Sequence, residues 1–281
     1  MKKIALITDS TANMPAELVK KYGVHVIPIR IQWDEETLVD GVDITTTQFY
    51  ERLVKAKSIP TTSQPSAGDF MALFERLAKD YDGMIAPLIS SGVSGTVNSA
   101  ETALQTFSQV PVEMMDTHLA AGAAGLVVET AGQAIAAGKD LKAVRAEADA
   151  VREKTKVYFV VDTLKYLHKG GRIGGASRYM GTALDIKPIL YLDDDGKIDA
   201  LEKVRTKKKA IERIIDLAAE HVGASKARAV VMHANAPEEA ERVKAQVAER
   251  MDCAQVDIYE IGPAVGVHVG PGAIGLSVCP V

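Results

Sequence analysis

The chain has 281 residues, is 47% hydrophobic and 25% charged, and carries a net charge of −4. That is the composition of a soluble globular protein of one large or two ordinary domains, and the acidic balance argues against a nucleic-acid binder. The only cysteines, Cys253 and Cys279, belong to no CxxC pair or Cys/His cluster, which excludes a disulfide framework and argues against structural zinc.

Both cysteines read as reduced core residues of a cytoplasmic protein. The opening MKKIALITDS holds an apolar run too short for a secretory signal. No apolar stretch approaches the ~20 residues that span a bilayer, so no integral membrane association is expected. Aromatics are 5% of the chain, with Trp33 the single tryptophan, so the core must be largely aliphatic.

In chain order, IALIT (Ile4 to Thr8) reads as a buried strand. TANMPAELVKKYG follows as loop and helix, with Pro15 near its start and Gly23 as its stop. VHVIPIRIQW is a second strand, interrupted by Pro28. TTTQFYERLVKA and SAGDFMALFERLAKDY are helices with hydroxyl caps; in the second, Ser66 is the N-cap and Asp69 the third helical residue. A strand at Ile85 to Ile89, a helix from about Asn98 and the short strand VEMMD come next. An Ala-rich helix from Leu119 to about Ala137 and another from Leu141 to about Lys154 end this half. Such alternation implies βαβ units and a parallel sheet.

The second half opens with the strand VYFVVD and the Gly-rich turn GGRIGG. PILYLDDDGKIDALEKV reads as a hairpin turning at DDDGK. A helix from about Lys207 to His221, strand ARAVVMHA, helix PEEAERVKAQVAERM, strand QVDIYEIG and a Gly-rich tail region complete the chain. The expectation is an α/β protein of two closely packed domains. Residues 1–155 form a parallel-sheet domain, and residues 156–281 a second α/β domain with a mixed sheet.

Two hydroxyl-rich loops carry the chemistry: PTTSQPS (Pro60 to Ser66) and SSGVSGTVNS (Ser90 to Ser99). The second joins a strand end to a helix start, where hydroxyls and free backbone N–H groups hold a small anion. Other motifs fail on context. GPGAIG (Gly270 to Gly275) matches a dinucleotide fingerprint, but only six residues follow it and no βαβ unit can. No GxxxxGK[ST] is present. A nucleophile elbow around Ser94 needs glycine where Thr96 stands. The run from Lys203 to Lys209 is either a solvated turn and helix start or a docking patch for an acidic partner or phosphate.

Six segments stand together: TDST (Thr8 to Thr11), PTTSQPSAGDF, SSGVSGTVNSA, LKYLHKGGRIG (Leu164 to Gly174), KPIL (Lys187 to Leu190) and GPAVGVHVGPGAIG (Gly262 to Gly275). Their order and spacing resemble the DegV family of bacterial fatty-acid-binding proteins. Val97 departs from the tyrosine common there, a change expected to affect packing and not ligand class. The resemblance implies a two-domain DegV-like fold that binds one long-chain fatty acid and uses no other cofactor. It implies a lipid-binding subunit, not itself an enzyme. It further implies a separate ATP-binding fatty acid kinase subunit that phosphorylates the bound carboxylate, the acyl phosphate feeding phospholipid synthesis. Thr62 and Ser94 match the carboxylate-binding hydroxyls. Arg172 and His268 match residues near the carboxylate or the kinase-docking face.

The residues agree with that implication. A buried carboxylate must be hydrogen-bonded, and Thr62 and Ser94 each offer one O–H donor. Gly95 leaves room for close backbone approach. The tail needs an apolar tunnel, to which the Ala/Gly-rich segment Ala120 to Val128 contributes small walls unless it serves only close helix packing. His268, in an apolar stretch, is either a satisfied core histidine or part of the carboxylate network. Arg172 is either a turn residue or an anion contact. Asp9 either orients the hydroxyl loops or caps the next turn. The alternative function is an independent enzyme, kinase-like or a serine hydrolase, acting through His268 or Ser94.

Overall fold

The computed structural model describes residues 3–181 and 186–281. The first half runs β1 (Ile4–Asp9), α1 (Ala16–Tyr22), β2 (His25–Ile27), β3 (Arg30–Trp33), β4 (Glu36–Val39), α2 (Thr46–Lys55), β5 (Thr61–Ser63), α3 (Ala67–Leu77), β6 (Gly83–Leu88), α4 (Thr96–Leu104), β7 (Val112–Asp116), α5 (Ala121–Ala136) and α6 (Leu141–Lys154). The second runs β8 (Lys156–Val160), α7 (Lys165–Lys169), β9 (Lys187–Leu192), β10 (Ile198–Val204), α8 (Lys207–Val222), β11 (Ala227–His233), α9 (Pro237–Arg250), β12 (Cys253–Glu260), α10 (Pro263–Val269) and β13 (Ile274–Pro280).

Strands β2–β1–β6–β7 form a parallel sheet. Every residue of β1 and β6 is buried, because helices cover both faces. Pro28 separates β2 from β3, and β3 leaves for a small antiparallel sheet in the order β4–β3–β5. This corrects the expectation at Pro60 to Ser66. Thr61–Ser63 is a strand paired with β3, not a loop. Flanking prolines give the segment a loop's composition, whereas its β-branched threonines suit a paired edge.

The second sheet is mixed, in the order β10–β9–β8–β13–β11–β12. Only β11 and β12 are parallel. Its centre is β13, drawn from the region read as an irregular Gly-rich tail. Long-range pairing with β8 and β11, not local sequence, makes it a strand.

Helix α5 touches β1 and β6 on one side and β11 and β13 on the other, so it is the layer the two sheets share. Thirteen of its residues are buried, and its alanines and glycines let both sheets approach. One apolar cluster therefore runs through both halves, from Leu6 and Ile85 to Leu190 and Met232. A buried ion pair, Arg228 Nη2 to Glu129 Oε2 at 2.6 Å, ties α5 to β11. Helices α3 and α4 cover the outer face of the parallel sheet, and α8 and α9 that of the mixed sheet. Val97 packs in the first of these outer clusters with Phe70 and Phe74. No described helix is long and apolar enough to cross a membrane.

Candidate functional site

Thr62 sits mid-strand in β5, opposite Ile31 of β3. The segment is held from the α3 side by a capping box. Ser66 Oγ accepts from Asp69 N, and the Asp69 carboxylate accepts from Ser66 N. Arg30 of β3 forks onto the same carboxylate at 2.8 and 2.9 Å. The guanidinium holds the Asp69 carboxyl well below the usual carboxylate range. Thr62 is thus fixed by a ladder pair on one side and an ion-paired helix cap on the other.

The second hydroxyl segment leaves the buried end of β6. Asp9, at the end of neighbouring β1, accepts from Ile89 N at 2.8 Å, and from both the N–H and the hydroxyl of Thr11. It therefore caps its own turn and also orients the loop after β6. Burial pushes its carboxyl up, and these bonds oppose that shift. Ser94 Oγ lies 2.8 Å from Thr96 Oγ1 and accepts from Thr96 N at 3.3 Å, at the start of α4. A β-carbon on Gly95 would come within 2.7 Å of Gln64 Nε2, so glycine there lets the two hydroxyl segments meet.

His268 comes from α10, a short helix that opens on Pro263. Its Nε2 lies 2.8 Å from Thr62 Oγ1. Burial first, and then the charge of Arg172, push its pKa down to about 4. The ring is therefore neutral at pH 7 and has one N–H. With the proton on Nε2, His268 donates to Thr62, whose own O–H is then free to donate to an anion. His268 Nδ1 is buried and has no partner among the described residues.

Arg172 reaches the same place from the turn after α7. Its Nε donates to Val93 O at 3.1 Å and its Nη1 to Gly170 O at 2.7 Å. Among the described residues no carboxylate pairs with it, so it brings net positive charge beside the Ser94 loop.

These side chains border one cavity of about 970 Å³, including its open mouth. Its polar residues are Thr11, Thr62, Gln64, Ser94, Arg172 and His268; the rest of the wall is apolar or glycine. Ile29 and Ile89 come from the parallel-sheet side, Ala120 and Ala121 from the start of α5, and Val157, Phe159, Leu192, Ile198, Met232 and Gly275 from the mixed sheet. An open cleft adjoins it and shares Val93, Ser94, Arg172 and Ile198. The arrangement suits an anionic head on a long apolar body. Among the described residues no group of three or more His, Cys, Asp or Glu is placed to hold a metal ion.

Thr62, Ser94, Gly95, Arg172 and His268 all meet at this site. Gln64 and Thr11 lay inside the sequence motifs but carried no signal separating them from turn residues. The apolar wall was illegible, because its members meet only through sheet register. The Ala-rich segment serves both expected ends, Ala120 and Ala121 lining the cavity and the rest packing between the sheets. The basic run is divided. Lys207 turns inward to Asp162, Glu239 and Gly272 O, whereas Lys203, Arg205, Lys208 and Lys209 are exposed.

Comparison with known proteins matches residues 3–281 to the model of the DegV family of uncharacterised proteins. A DegV domain-containing protein of Halalkalibacterium halodurans is 39% identical over 279 residues, covering 99% of this chain and 98% of the relative. A fatty-acid-binding DegV family protein of Thermus thermophilus superposes with a TM-score of 0.93 at 33% identity, over 99% of this chain and 100% of that one. DegV of Bacillus subtilis, a fatty acid binding protein, gives 0.91 at 35% identity over the whole of both chains. The chain belongs to the DegV family.

Proposed function

We propose that this member of the DegV family holds one long-chain fatty acid in the cavity and presents its carboxylate to a separate ATP-dependent kinase subunit. The observation that carries the reading is the Thr62–His268 contact at the head of an otherwise apolar cavity. Support also comes from the fatty acid binding of the Thermus thermophilus and Bacillus subtilis proteins. Thr62 and Ser94 donate to the carboxylate oxygens, with Gly95 giving close backbone approach and His268 fixing the Thr62 hydroxyl. The tail supplies most of the affinity. At ~0.8 kcal/mol per buried methylene, roughly 15 methylenes contribute on the order of 12 kcal/mol gross, before the cost of ordering the chain.

In this reading residues 1–155 and 156–281 act as two domains, and the ligand lies between them, a common place for such sites. The first supplies Thr62 and Ser94, the second Arg172 and His268. The open cleft beside Ser94 and Arg172 gives the partner access. A carboxylate oxygen attacks the γ-phosphorus of ATP, the bond to the β-phosphate oxygen breaks, and ADP leaves. In this reading Arg172, which borders the cleft, contacts the carboxylate or the transferred phosphoryl group. The exposed Lys203, Arg205, Lys208 and Lys209 offer a face to an acidic partner. An independent enzyme is less well supported. Ser94 bonds to Thr96 and not to a base, and His268, whose Nε2 meets Thr62, has no third group on Nδ1 to orient it among the described residues.

The test is native mass spectrometry of the protein purified from bacterial cells, followed by ATP addition. A co-purified long-chain acid is expected. The acid should become a hydroxylamine-trappable acyl phosphate with ATP and cell extract, and not with ATP alone. Ester hydrolysis or ATP turnover by the pure chain would overturn the reading.

A further inference from the structure

We infer that Gly275 sets how long an acyl chain the cavity accepts. Three neighbouring strands of the mixed sheet place Phe159, Gly275 and Met232 directly side by side, Phe159 opposite Gly275 and Gly275 opposite Met232. All three line the cavity. Glycine inside a central strand loses backbone entropy and offers no side chain to pack, so it marks a place where something approaches the backbone closely. Here it leaves a notch in the cavity floor between two large side chains.

The end of the Met232 side chain leans over the notch. A β-carbon on Gly275 would lie 3.0 Å from Met232 Cε, 3.5 Å from Phe159 Cβ and 3.6 Å from Met232 Cβ. The tight contact is with the end of a flexible methionine, so a methyl group fits if Met232 yields, and a branched side chain fills the notch. One row further along the same face, Val157 lies opposite Ser277 and Ser277 opposite Val230. Ser277 is fully buried and Val157 nearly so, and with side chains on all three strands that row has no notch. Gly275 is therefore the one position in these two rows where an alkyl chain that displaces the end of Met232 can reach the sheet backbone. This rests on the reading that the cavity holds a fatty acid.

The experiment measures affinities of wild type, Gly275→Ala, Gly275→Val and Phe159→Leu for saturated acids from decanoic to octadecanoic. Wild type should gain about fourfold per added methylene while the growing tail still finds apolar wall. Gly275→Val should follow wild type for the shorter acids and then stop gaining. It should end roughly 15- to 60-fold weaker for octadecanoic acid, the loss of two to three methylene contacts at that increment. Gly275→Ala should lie between. Phe159→Leu lowers one wall of the notch and should move the plateau to longer acids, so it decides the matter should Gly275→Val fail to fold. Curves parallel to wild type at every length would overturn the inference. A wild type that binds none of the acids would instead refute the fatty-acid reading on which it stands.

Discussion

His268 and Asp40 sit at opposite ends of α10, and their titrations should oppose each other. Asp40 is buried, 6% exposed, and accepts hydrogen bonds from Ser10 and from Ala264 N in the first turn of α10. Burial raises its carboxyl from 3.8 to about 6. His268, in the last turn, is lowered from 6.5 to about 4, chiefly by burial. For the depressed histidine, stability is full above the unfolded value and is lost as pH falls toward about 4. For the raised carboxyl, stability is full below its unfolded value and is lost as pH rises through about 6. A tenfold change in proton affinity between the folded and unfolded chain is worth about 1.4 kcal/mol, so each group contributes about 3 kcal/mol. From pH 7 to pH 4 the two therefore nearly cancel. Urea unfolding of wild type, His268→Gln and Asp40→Asn across this range separates them. Relative to wild type, His268→Gln should gain about 3 kcal/mol on acidification and Asp40→Asn should lose about 3 kcal/mol. The lost Thr62 contact adds only a pH-independent offset, and carboxylates other than Asp9, whose charge also acts on Asp40, cancel in the difference. Two variants whose pH dependence tracks wild type would refute the assignment of these burial effects.

Thr62→Val and Ser94→Ala should each weaken binding of hexadecanoic acid roughly 10- to 150-fold by calorimetry, the ~1.5–3 kcal/mol of a hydrogen bond to a charged group; an unchanged affinity removes that hydroxyl from the head site. Gly92→Ala should lower stability by about 1–3 kcal/mol, because its β-carbon would lie 2.6 Å from Gly196 O and 2.7 Å from Asp195 O where the β9–β10 turn closes over the Ser90 loop; wild-type thermal stability would rule out that contact. Arg228→Met leaves Glu129 charged and buried, with 3% of its side chain exposed, and should cost about 3–5 kcal/mol. The double variant Glu129→Leu with Arg228→Met should recover most of it, and a double variant as unstable as the single one would contradict the pairing.

The sequence displays what is decided locally. The Ser66 cap, the hydroxyl cap of α2, the Gly23 stop and the ends of α6 all depend on residues within one turn of each other, and all stand where the pattern placed them. The DDDGK hairpin is equally local. What could not be read depends on distant partners. Thr61–Ser63 becomes a strand because Arg30 to Gln32 lie beside it. Ile274–Pro280 becomes the centre of a sheet because β8 and β11 flank it. The polar residues that line the cavity were nameable because they lie in the short motifs that carry the family resemblance, although the residues alone left Arg172 and His268 open. The tail wall was not, since Phe159, Met232 and Gly275 are ordinary strand residues until register sets them side by side.

The most direct test of the central claim uses carboxyl-¹³C-labelled hexadecanoic acid bound to wild type, Thr62→Val and Ser94→Ala, followed by ¹³C NMR. A single bound carboxylate resonance that moves in each variant, with the acid still held by its tail, is the expected result. A resonance identical in all three proteins would mean that neither hydroxyl touches the carboxylate, and the head site would have to lie elsewhere.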